Sequence, residues 1–450
     1  YIREVDQNII DRNPAYELGE IIGMTGIEKQ YEQILRGTKG VKYIQKDRFN
    51  RDIGTYKGGI FDTLPKRGKD ITLTIDATLQ AYGEKLFTNK RGGIVAIEPS
   101  SGEILSLVTA PNYDPGLLVG RERSENFTKL YYDTIAIPLF DRGLKAEYPP
   151  GSPFKTLTAL IAMQENVVRL DEKIECRGGY YYGKRGRKLG CCNTYFCTVY
   201  KRVIEKYNTP QKGIDNWKNH LTSFGLGNYL GYDLPVGSKG KIPSSKTYDA
   251  KYPNNNWYAT ATISNAIGQG EVLLTPIQMA NFTAAIANRG WWVRPHMIKN
   301  IQDHDTIAKK FKHINKTSID SKYFEPIIEG MHDVYRDGTA SFLKIPDIEI
   351  CGKTGTAENF KKIDGSVKQL TDHSVFVAFA PKDNPKIAIA VFVENGYWGA
   401  RWAGRIASLM IEKYIKGEIT RTDMEAFVLN GSLKDEYNKP YAGKPFKINQ

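Results

Sequence analysis

Apolar residues recur at every second position in several stretches of the chain, which predicts half-buried β-strands. Ile71 to Ile75 alternates in this way. Two longer pairs of apolar stretches are each joined by a short turn-forming segment, Pro99 to Gly102 in the first pair and Pro381 to Pro385 in the second. Such segments between apolar runs are typical of β-hairpins. The sequence therefore predicts two hairpins, over residues 93–108 and 374–393.

Apolar residues at three- and four-residue spacing predict helices that pack on these strands. Asp76 is a candidate N-cap for the first of them, and Thr275 followed by Pro276 begins a later one. Tyr323 to Tyr335 and Ala400 to Ile415 continue the same spacing. Strands near both ends of this region, with helices between them, favour an antiparallel sheet covered by helices, an α+β fold.

The character of the sequence changes near residue 70. Residues 1–70 are polar and rich in turn-forming residues, with one predicted helix that begins at a capping box, Thr25 to Glu28. Residues 71–450 have the pattern of a packed domain, although the last 30 are polar and we expect them to be loosely attached. We therefore expect two domains, 1–70 and 71–450, with the chemistry in the second.

The composition of the chain says more about its possible functions than about its fold. The chain of 450 residues carries 63 Lys and Arg against 50 Asp and Glu, a formal net charge of +13. This balance favours an anionic partner such as nucleic acid, lipid head groups or a cell-wall polymer. Nucleic acid is the weaker candidate, because the sequence has no zinc finger, aromatic RNA-binding signature or arginine-rich arm. No run of about 18 apolar residues occurs, so we expect a soluble chain, which includes the ectodomain of an anchored protein.

Four of the five cysteines lie close together in the sequence, at Cys176, Cys191, Cys192 and Cys197. A zinc cluster is one interpretation, but no histidine lies nearby and the spacing fits no zinc finger. A disulfide formed in an oxidising compartment is a second, and unpaired buried thiols are a third.

The strongest candidate for chemistry is Ser152, which follows two prolines and a glycine and precedes an apolar helical run. We expect Ser152 to be an N-cap with Pro153 at the first helical position. Lys155 lies three residues later, on the same face of the first turn. A serine nucleophile with a lysine base has this layout. The structural alternative is an N-cap serine beside a solvated lysine, and Ser-x-x-Lys also occurs at Ser238 and Ser341.

A second candidate is the predicted strand that contains Lys353-Thr354-Gly355-Thr356. Glycine lets a substrate approach the backbone closely, and an exposed strand edge can pair with an extended peptide. Lys353 would attract a substrate carboxylate, and Thr354 or Thr356 would hydrogen-bond to it. An edge strand that carries a protective lysine is the alternative.

Taken together, these motifs resemble those of the penicillin-binding proteins, and more narrowly class B transpeptidases of the penicillin-binding protein 2 kind. The resemblance extends over most of the chain. The matching segments outside the two motifs are Gly26-Ile27-Glu28 with Tyr31-Glu32 and Leu35-Arg36-Gly37, Thr74-Ile75-Asp76, Gly92 to Leu105, Tyr113-Asp114-Pro115, Ala266 to Gly270, Thr275-Pro276, and His373-Ser374 with Ala378 to Pro381.

The resemblance implies a penicillin-binding transpeptidase fold above a smaller N-terminal pedestal. It implies a serine D-Ala-D-Ala transpeptidase that cross-links peptidoglycan stem peptides through a Ser152 acyl-enzyme, is trapped by β-lactams, and requires no metal or organic cofactor. The implied setting is cell-wall elongation at the periplasmic face of the bacterial inner membrane. The implied partner there is a SEDS-family glycosyltransferase. The resemblance also implies that the protein is attached to the membrane through an N-terminal anchor that is absent from this chain. A D,D-carboxypeptidase, a β-lactamase and a β-lactam sensor without turnover use the same motifs.

The family's middle motif, Ser-x-Asn or Ser-x-Asp, is only partly matched. Cys191-Cys192-Asn193 resembles that segment, with a cysteine where the serine belongs. A thiol is a weaker hydrogen-bonding group than a hydroxyl and could not relay protons in the same way. The family also has a longer connection here, so we interpret residues 190–193 as a join that lacks a segment, with the serine absent rather than mutated. The resemblance therefore implies a role for Asn193, orienting Lys155 and the substrate amide, but identifies no serine.

Overall fold

A computed structural model describes residues 2–182, 187–190, 193–252, 254, 256–303, 309, 311–363 and 365–439. The chain forms two compact units. The first comprises Tyr1–Thr74, Asp233–Pro235 and Met297–Lys310, and the second comprises Ile75–Tyr232, Val236–His296 and Phe311–Gln450. Two segments from later in the chain, Asp233–Pro235 and Met297–Lys310, thus belong to the first unit, which a single boundary after residue 70 does not anticipate. The division into domains 1–70 and 71–450 stays a prediction.

In its described residues, the first unit contains three short antiparallel strand pairs, three short α-helices and a 3₁₀ helix at Tyr56–Gly59. The strand pairs are Ile2–Glu4 with Ile21–Gly23, Ile44–Lys46 with Asp52–Thr55, and Ile71–Leu73 with Ile298–Ile301. The helices are Gln7–Arg12, Gly26–Gln30 and Glu32–Leu35. The capping box expected at Thr25 is wrong, because the Thr25 side chain makes no capping bond and the predicted helix is split at Tyr31.

The split leaves Tyr31 as a buried anchor of this unit. Its hydroxyl donates to Oδ2 of Asp233 at 2.7 Å, and the backbone N–H groups of Met297 and Ile298 donate to the same carboxylate. Burial, together with the hydrogen bond to this carboxylate, raises the pKa of Tyr31 well above its ordinary value. One aspartate therefore joins three segments that are far apart in sequence.

A five-stranded antiparallel sheet forms the centre of the second unit. In chain order its strands are β1 (Gly92–Ile97), β2 (Ile104–Ala110), β3 (Cys351–Ile363), β4 (Ser366–Ala380) and β5 (Ile387–Val393). Their order across the sheet is β3-β4-β5-β1-β2, which places β3 at one edge. Both hairpins predicted from the apolar pattern are present, as β1–β2 and β4–β5. Two small ribbons lie outside this sheet, Tyr180–Tyr182 with Arg187–Leu189 and Trp291–Val293 with Ile314–Lys316.

Helices cover both faces of this sheet. They are α1 (Ala77–Leu86), α2 (Arg123–Tyr131), α3 (Lys155–Gln164), α4 (Thr194–Glu205), α5 (Pro210–Ser223), α6 (Pro276–Ala287), α7 (Phe324–Arg336), α8 (Arg405–Lys416) and α9 (Thr422–Asn430), with short helices at Ser245–Asp249 and Lys434–Asn438. Every residue of β5 is buried, because α8 packs on one side of the sheet and α6 on the other. The predicted α+β architecture is confirmed. Among the described residues, no helix is both long and apolar enough to cross a membrane.

The C-terminal region is packed more firmly than its polar sequence suggested. Val428 in α9, Leu433 and Tyr437 are buried against the core formed by α1, α8 and the sheet. Lys90 also binds this region, because its ammonium donates to the backbone carbonyls of Val428 and Gly431. The expectation of a loosely attached end is therefore wrong up to residue 439. Its three buried side chains are spaced too widely to form an apolar run in the sequence.

Candidate active site

The backbone just before Ser152 follows a path that only glycine accommodates easily. Gly151 has a φ of 62°, and its N–H donates to the carbonyl of Gly268 at 2.9 Å. A Cβ on Gly268 would lie 2.5 Å from the backbone oxygen of Gly151, so this close approach requires glycine at residue 268. Ser152–Phe154 then form a 3₁₀ turn that leads directly into α3. Ser152 therefore lies within the first turn; its expected place as N-cap is wrong, because Gly151 holds that position.

Lys155 is the first residue of α3, and its side chain is buried, with 7% of the residue exposed. Its ammonium lies 5.2 Å from the ring centre of Phe196 in α4. Because Ser152 and Lys155 are three residues apart in one continuous helical segment, their side chains share a face. The solvated lysine considered as an alternative is therefore wrong. The burial of an amine beside a serine is an arrangement that favours a lysine base.

Helix α4 forms the wall opposite Lys155. Cys197 on this helix is completely buried, and burial raises the pKa of its thiol to about 12, although the charge of Lys155 acts in the opposite direction. The thiol is therefore neutral at physiological pH and cannot serve as a counter-ion for Lys155. Asn193 precedes α4 and lies one turn before Cys197 on the same side. The structure thus places Asn193 at the end of the helix that packs against Lys155.

The described cysteines differ in the bonding state of their sulfur atoms. Cys176 is disulfide-bonded, whereas Cys197 and Cys351 carry free thiols. Cys191 and Cys192, and with them the proposed gap before Asn193, lie outside the described residues.

The edge strand β3 passes directly beside the Ser152 turn. A Cβ on Gly355 would lie 2.4 Å from Cδ of Pro153, and a Cβ on Gly151 would lie 3.1 Å from the carbonyl oxygen of Thr356. Gly355 also makes close contact on another side, because a Cβ on Gly399 would lie 2.5 Å from its oxygen. Glycine is required at residue 355 because the Ser152 turn approaches its backbone, and at residue 399 because that loop approaches the backbone of Gly355.

The remaining candidate residues follow along the same edge. Lys353 is two residues before Gly355, which corresponds to about 7 Å along a strand. Its ammonium donates to the carbonyl of Thr354 at 3.1 Å, and the hydroxyl of Thr354 lies 3.1 Å from that of Thr339. Thr356 is exposed. The structure therefore brings the Ser152 turn, Lys155 and the Lys353–Thr356 segment to one place.

A partly buried carboxylate bonded to Tyr148, shortly before Ser152, was not assigned a role from the sequence. The carboxylate of Glu394 accepts hydrogen bonds from the Tyr148 hydroxyl at 2.7 Å and from Nε of Arg142 at 3.0 Å. Burial alone would raise the pKa of Glu394, but these partners hold it below its ordinary value, so this carboxylate is ionised. Tyr148, which also stacks on Phe392 at 3.7 Å, leads into the Pro-Pro-Gly segment. No local pattern identified Glu394, since its partners are about 250 residues away.

A serine in the first turn of a buried helix, a lysine one turn later and a Lys-Thr-Gly edge strand define the class of penicillin-recognising serine acyltransferases. Comparison with protein-family models agrees with this class. Residues 92–412 match the penicillin binding protein transpeptidase domain, and residues 1–73 match the penicillin-binding protein dimerisation domain. The chain belongs to the penicillin-binding protein transpeptidase family.

Curated relatives place it near one branch of that family. The chain is 32% identical over 429 residues to the peptidoglycan D,D-transpeptidase MrdA of Acinetobacter baumannii, covering 88% of this chain and 61% of the relative. It is 30% identical over 429 residues to MrdA of Escherichia coli K12, covering 90% and 66%. The chain therefore spans less than two thirds of the length of these relatives.

Solved structures show the same fold. The structure of Pseudomonas aeruginosa PBP2 in complex with WCK 5153 matches with a TM-score of 0.74 and 29% identity, covering 98% of this chain and 90% of that one. Helicobacter pylori PBP2 in complex with MreC matches with a TM-score of 0.73 and 26% identity, covering 93% and 77%. The ceftriaxone acyl-enzyme of Mycobacterium tuberculosis penicillin-binding protein A matches with a TM-score of 0.65 and 25% identity, covering 78% and 81%.

Proposed function

We propose that this chain is a peptidoglycan D,D-transpeptidase of the penicillin-binding protein 2 kind, acting through a covalent intermediate on Ser152. The observation that carries the proposal is the contact between Gly355 and Pro153. It places an unpaired sheet edge alongside the residue next to the nucleophile. An extended peptide that adds to this edge has its carbonyl beside Ser152, which is the positioning that acyl transfer requires.

The buried Lys155 accepts the proton of Ser152 as the serine oxygen attacks the carbonyl between two D-alanine residues. Burial and the positive end of the helix both favour the neutral amine, which is the form that can accept this proton. Backbone N–H groups of Ser152 and Thr356 are the proposed donors to the oxyanion. Loss of one such donor typically lowers the rate by about 10²–10³.

The terminal D-alanine then leaves, and the amine of a neighbouring stem peptide attacks the acyl-enzyme to form the cross-link. Lys353 and Thr354 bind the terminal carboxylate of the donor peptide, and Asn193 orients Lys155 and the substrate amide. A β-lactam forms the same bond to Ser152 but leaves it slowly. The acyl-enzyme described for the M. tuberculosis relative supports this part of the proposal.

The proposed setting is the periplasmic face of the bacterial inner membrane during wall elongation. A disulfide at Cys176 is consistent with an oxidising compartment. The complex of the H. pylori relative with MreC supports a protein of the MreC kind as a partner. A SEDS-family glycosyltransferase is the proposed source of the glycan strands that this enzyme cross-links.

Labelling with a fluorescent penicillin tests the nucleophile. We expect the wild-type chain to be labelled, and the Ser152→Ala variant to remain unlabelled while keeping its melting temperature. Ser341→Ala is the matched control, because Ser341 is exposed and also begins a Ser-x-x-Lys sequence. Equal labelling of wild type and Ser152→Ala would refute the assignment.

Product analysis on lipid-linked peptidoglycan distinguishes the activities that share these motifs. A transpeptidase yields cross-linked stem-peptide dimers together with released D-alanine. A carboxypeptidase releases D-alanine without dimers, and a sensor gives a stable penicillin adduct with neither product. Either of the last two outcomes would overturn the transpeptidase proposal while keeping Ser152 as the nucleophile.

A further inference from the structure

A cavity of about 360 Å³ lies where β2 ends and where the chain turns into β1, away from the Ser152 turn. Part of its wall is apolar, formed by Phe87, Val108 and Pro111. Arg91 and Lys434 contribute cationic groups to the same wall. This volume falls within the range of small-molecule sites, in which an apolar surface surrounds a few convergent polar groups.

Arg91 is the unusual residue of this cavity. It is 93% buried, at 7% exposure, and within the described part of the chain its guanidinium donates no hydrogen bond. Its guanidinium lies over the face of the Tyr437 ring, with 4.3 Å between the guanidinium carbon and the ring centre. Burial lowers the pKa of Arg91. Because Arg91 lines the cavity, its N–H donors are available to an anion that enters it.

The carboxylates around Arg91 are already engaged. Glu394 attracts Arg91 at a distance, but its carboxylate accepts hydrogen bonds from Arg142 and Tyr148. Glu84 is the one carboxylate among the described residues that line the cavity, and it accepts hydrogen bonds from Gln80 and Asn112. Asp133 also attracts Arg91 at a distance, and its Oδ1 accepts hydrogen bonds from the backbone N–H groups of Ile135 and Ala136. Among the described residues none of these carboxylates forms an ion pair with Arg91, so its donors remain available to a ligand.

The other cations of the cavity differ in what they can offer a ligand. The ammonium of Lys90 donates to the carbonyls of Thr88, Val428 and Gly431, so its three donors are used. Lys434 is exposed, and no ion pair to it is found among the described residues. The lining thus contains three basic side chains and one acidic side chain, and two of the basic ones have donors available.

We infer that this cavity binds a small organic carboxylate, with the carboxylate on Arg91 and the apolar body against Phe87, Val108 and Pro111. The planar guanidinium matches a carboxylate in a bidentate geometry, which makes arginine the preferred partner for such groups. The cavity is also larger than a single inorganic ion requires, and its apolar wall favours a ligand with a hydrocarbon part. The site is separate from the proposed carboxylate subsite at Lys353.

Ligand-observed NMR titration with benzoate, benzamide and inorganic phosphate tests this inference. Benzoate and benzamide have nearly the same shape, so a difference between them reports the charge. We expect saturable binding of benzoate, and binding at least about tenfold weaker for benzamide, as charge-assisted hydrogen bonds imply. Phosphate, which lacks an apolar part, is expected to bind more weakly than benzoate. Saturable binding of phosphate that is tighter than that of benzoate would contradict an organic ligand.

Variants locate the binding. Arg91→Gln is expected to weaken benzoate binding at least about tenfold, and Lys434→Gln about two- to fivefold, as for an exposed charge. Lys322→Gln, an exposed lysine outside the cavity, is the matched control and is expected to leave the affinity unchanged. Melting temperatures establish whether Arg91→Gln folds; if it does not, the comparison of Lys434→Gln with Lys322→Gln decides.

Two outcomes overturn the inference. One is benzoate binding that is unchanged in the folded Arg91→Gln or Lys434→Gln variants but lost in Lys353→Gln, which would place the ligand in the Ser152 groove. The other is the absence of saturable benzoate binding to the wild-type chain. Neither outcome depends on whether Ser152 is a transpeptidase nucleophile, since the titration requires no turnover.

Discussion

Replacing Gly355 by alanine tests whether the edge of β3 positions the nucleophile. The added Cβ would lie 2.4 Å from Cδ of Pro153, whereas ordinary contacts begin at 3.4 Å. The strand or the Ser152 turn would therefore have to move by about 1 Å. The proline ring cannot rotate away, because its side chain is closed on the backbone.

The substitution is expected to slow acylation in a protein that remains folded. Overpacking a well-packed site by one methyl group destabilises a protein by about 1–3 kcal/mol. A misplacement of about 1 Å at reacting groups can lower a rate by about 10². We therefore expect Gly355→Ala to remain folded and to be acylated by fluorescent penicillin about a hundredfold more slowly.

The measurement is the second-order rate of acylation, with thermal unfolding recorded on the same samples. Gly330→Ala is the matched control, because a Cβ on Gly330 meets nothing within 4 Å. It lies within α7, where alanine stabilises a helix by about 1 kcal/mol relative to glycine. A folded Gly355→Ala variant that is acylated at the wild-type rate would show that this contact does not position Ser152.

Two further substitutions test how the helices around the site are held. The buried carboxylate of Glu165 accepts hydrogen bonds from Lys206 and His220; burial alone would raise its pKa, but these bonds lower it to about 2 from 4.5. The stability this carboxylate provides is therefore complete above pH 4.5 and lost as the pH falls towards 2. The difference in melting temperature between wild type and Glu165→Gln should accordingly shrink between pH 4.5 and pH 2. A difference that does not depend on pH would contradict this prediction. The hydroxyl of Ser374 bonds to two carbonyls and one N–H in residues 398–403. We therefore expect Ser374→Ala to lower the free energy of unfolding, measured by urea denaturation, by about 1–3 kcal/mol. Ser341→Ala, at an exposed residue, is the control and should leave this free energy unchanged; an equal effect of both substitutions would refute the prediction.

The sequence predicted the site through residues that are close together along the chain. Ser152 and Lys155 fall on one helical face because the spacing of a helix is fixed. The β4–β5 hairpin was predicted for a similar reason, since a short turn between two apolar runs leaves few alternatives. The exact start of the helix was not predicted, because Gly151 takes the N-cap position through its contact with Gly268, which is 117 residues away in sequence.

The docking of the C-terminal region shows the limit of reading polarity locally. Leu433 and Tyr437 occur in a stretch that is polar overall, yet both are buried in the second unit. The burial of Arg91 was not predicted either, because only the folded chain places the Tyr437 ring over its guanidinium. Burial depends on which surfaces meet, and a local sequence does not contain that information.

The sequence by itself determined the α+β class, the two hairpins and the pairing of a serine with a lysine, because each follows from periodicity or from short-range geometry. Only the tertiary structure decided that Gly355 touches Pro153, that Lys155 is buried against α4, and that Arg91 faces a cavity with its donors unused. These features depend on the packing of segments that are not adjacent in the sequence, such as Pro153 with Gly355 and Arg91 with Tyr437. Close packing fixes such contacts to within about a methyl group, which is finer than any pattern along the chain can specify.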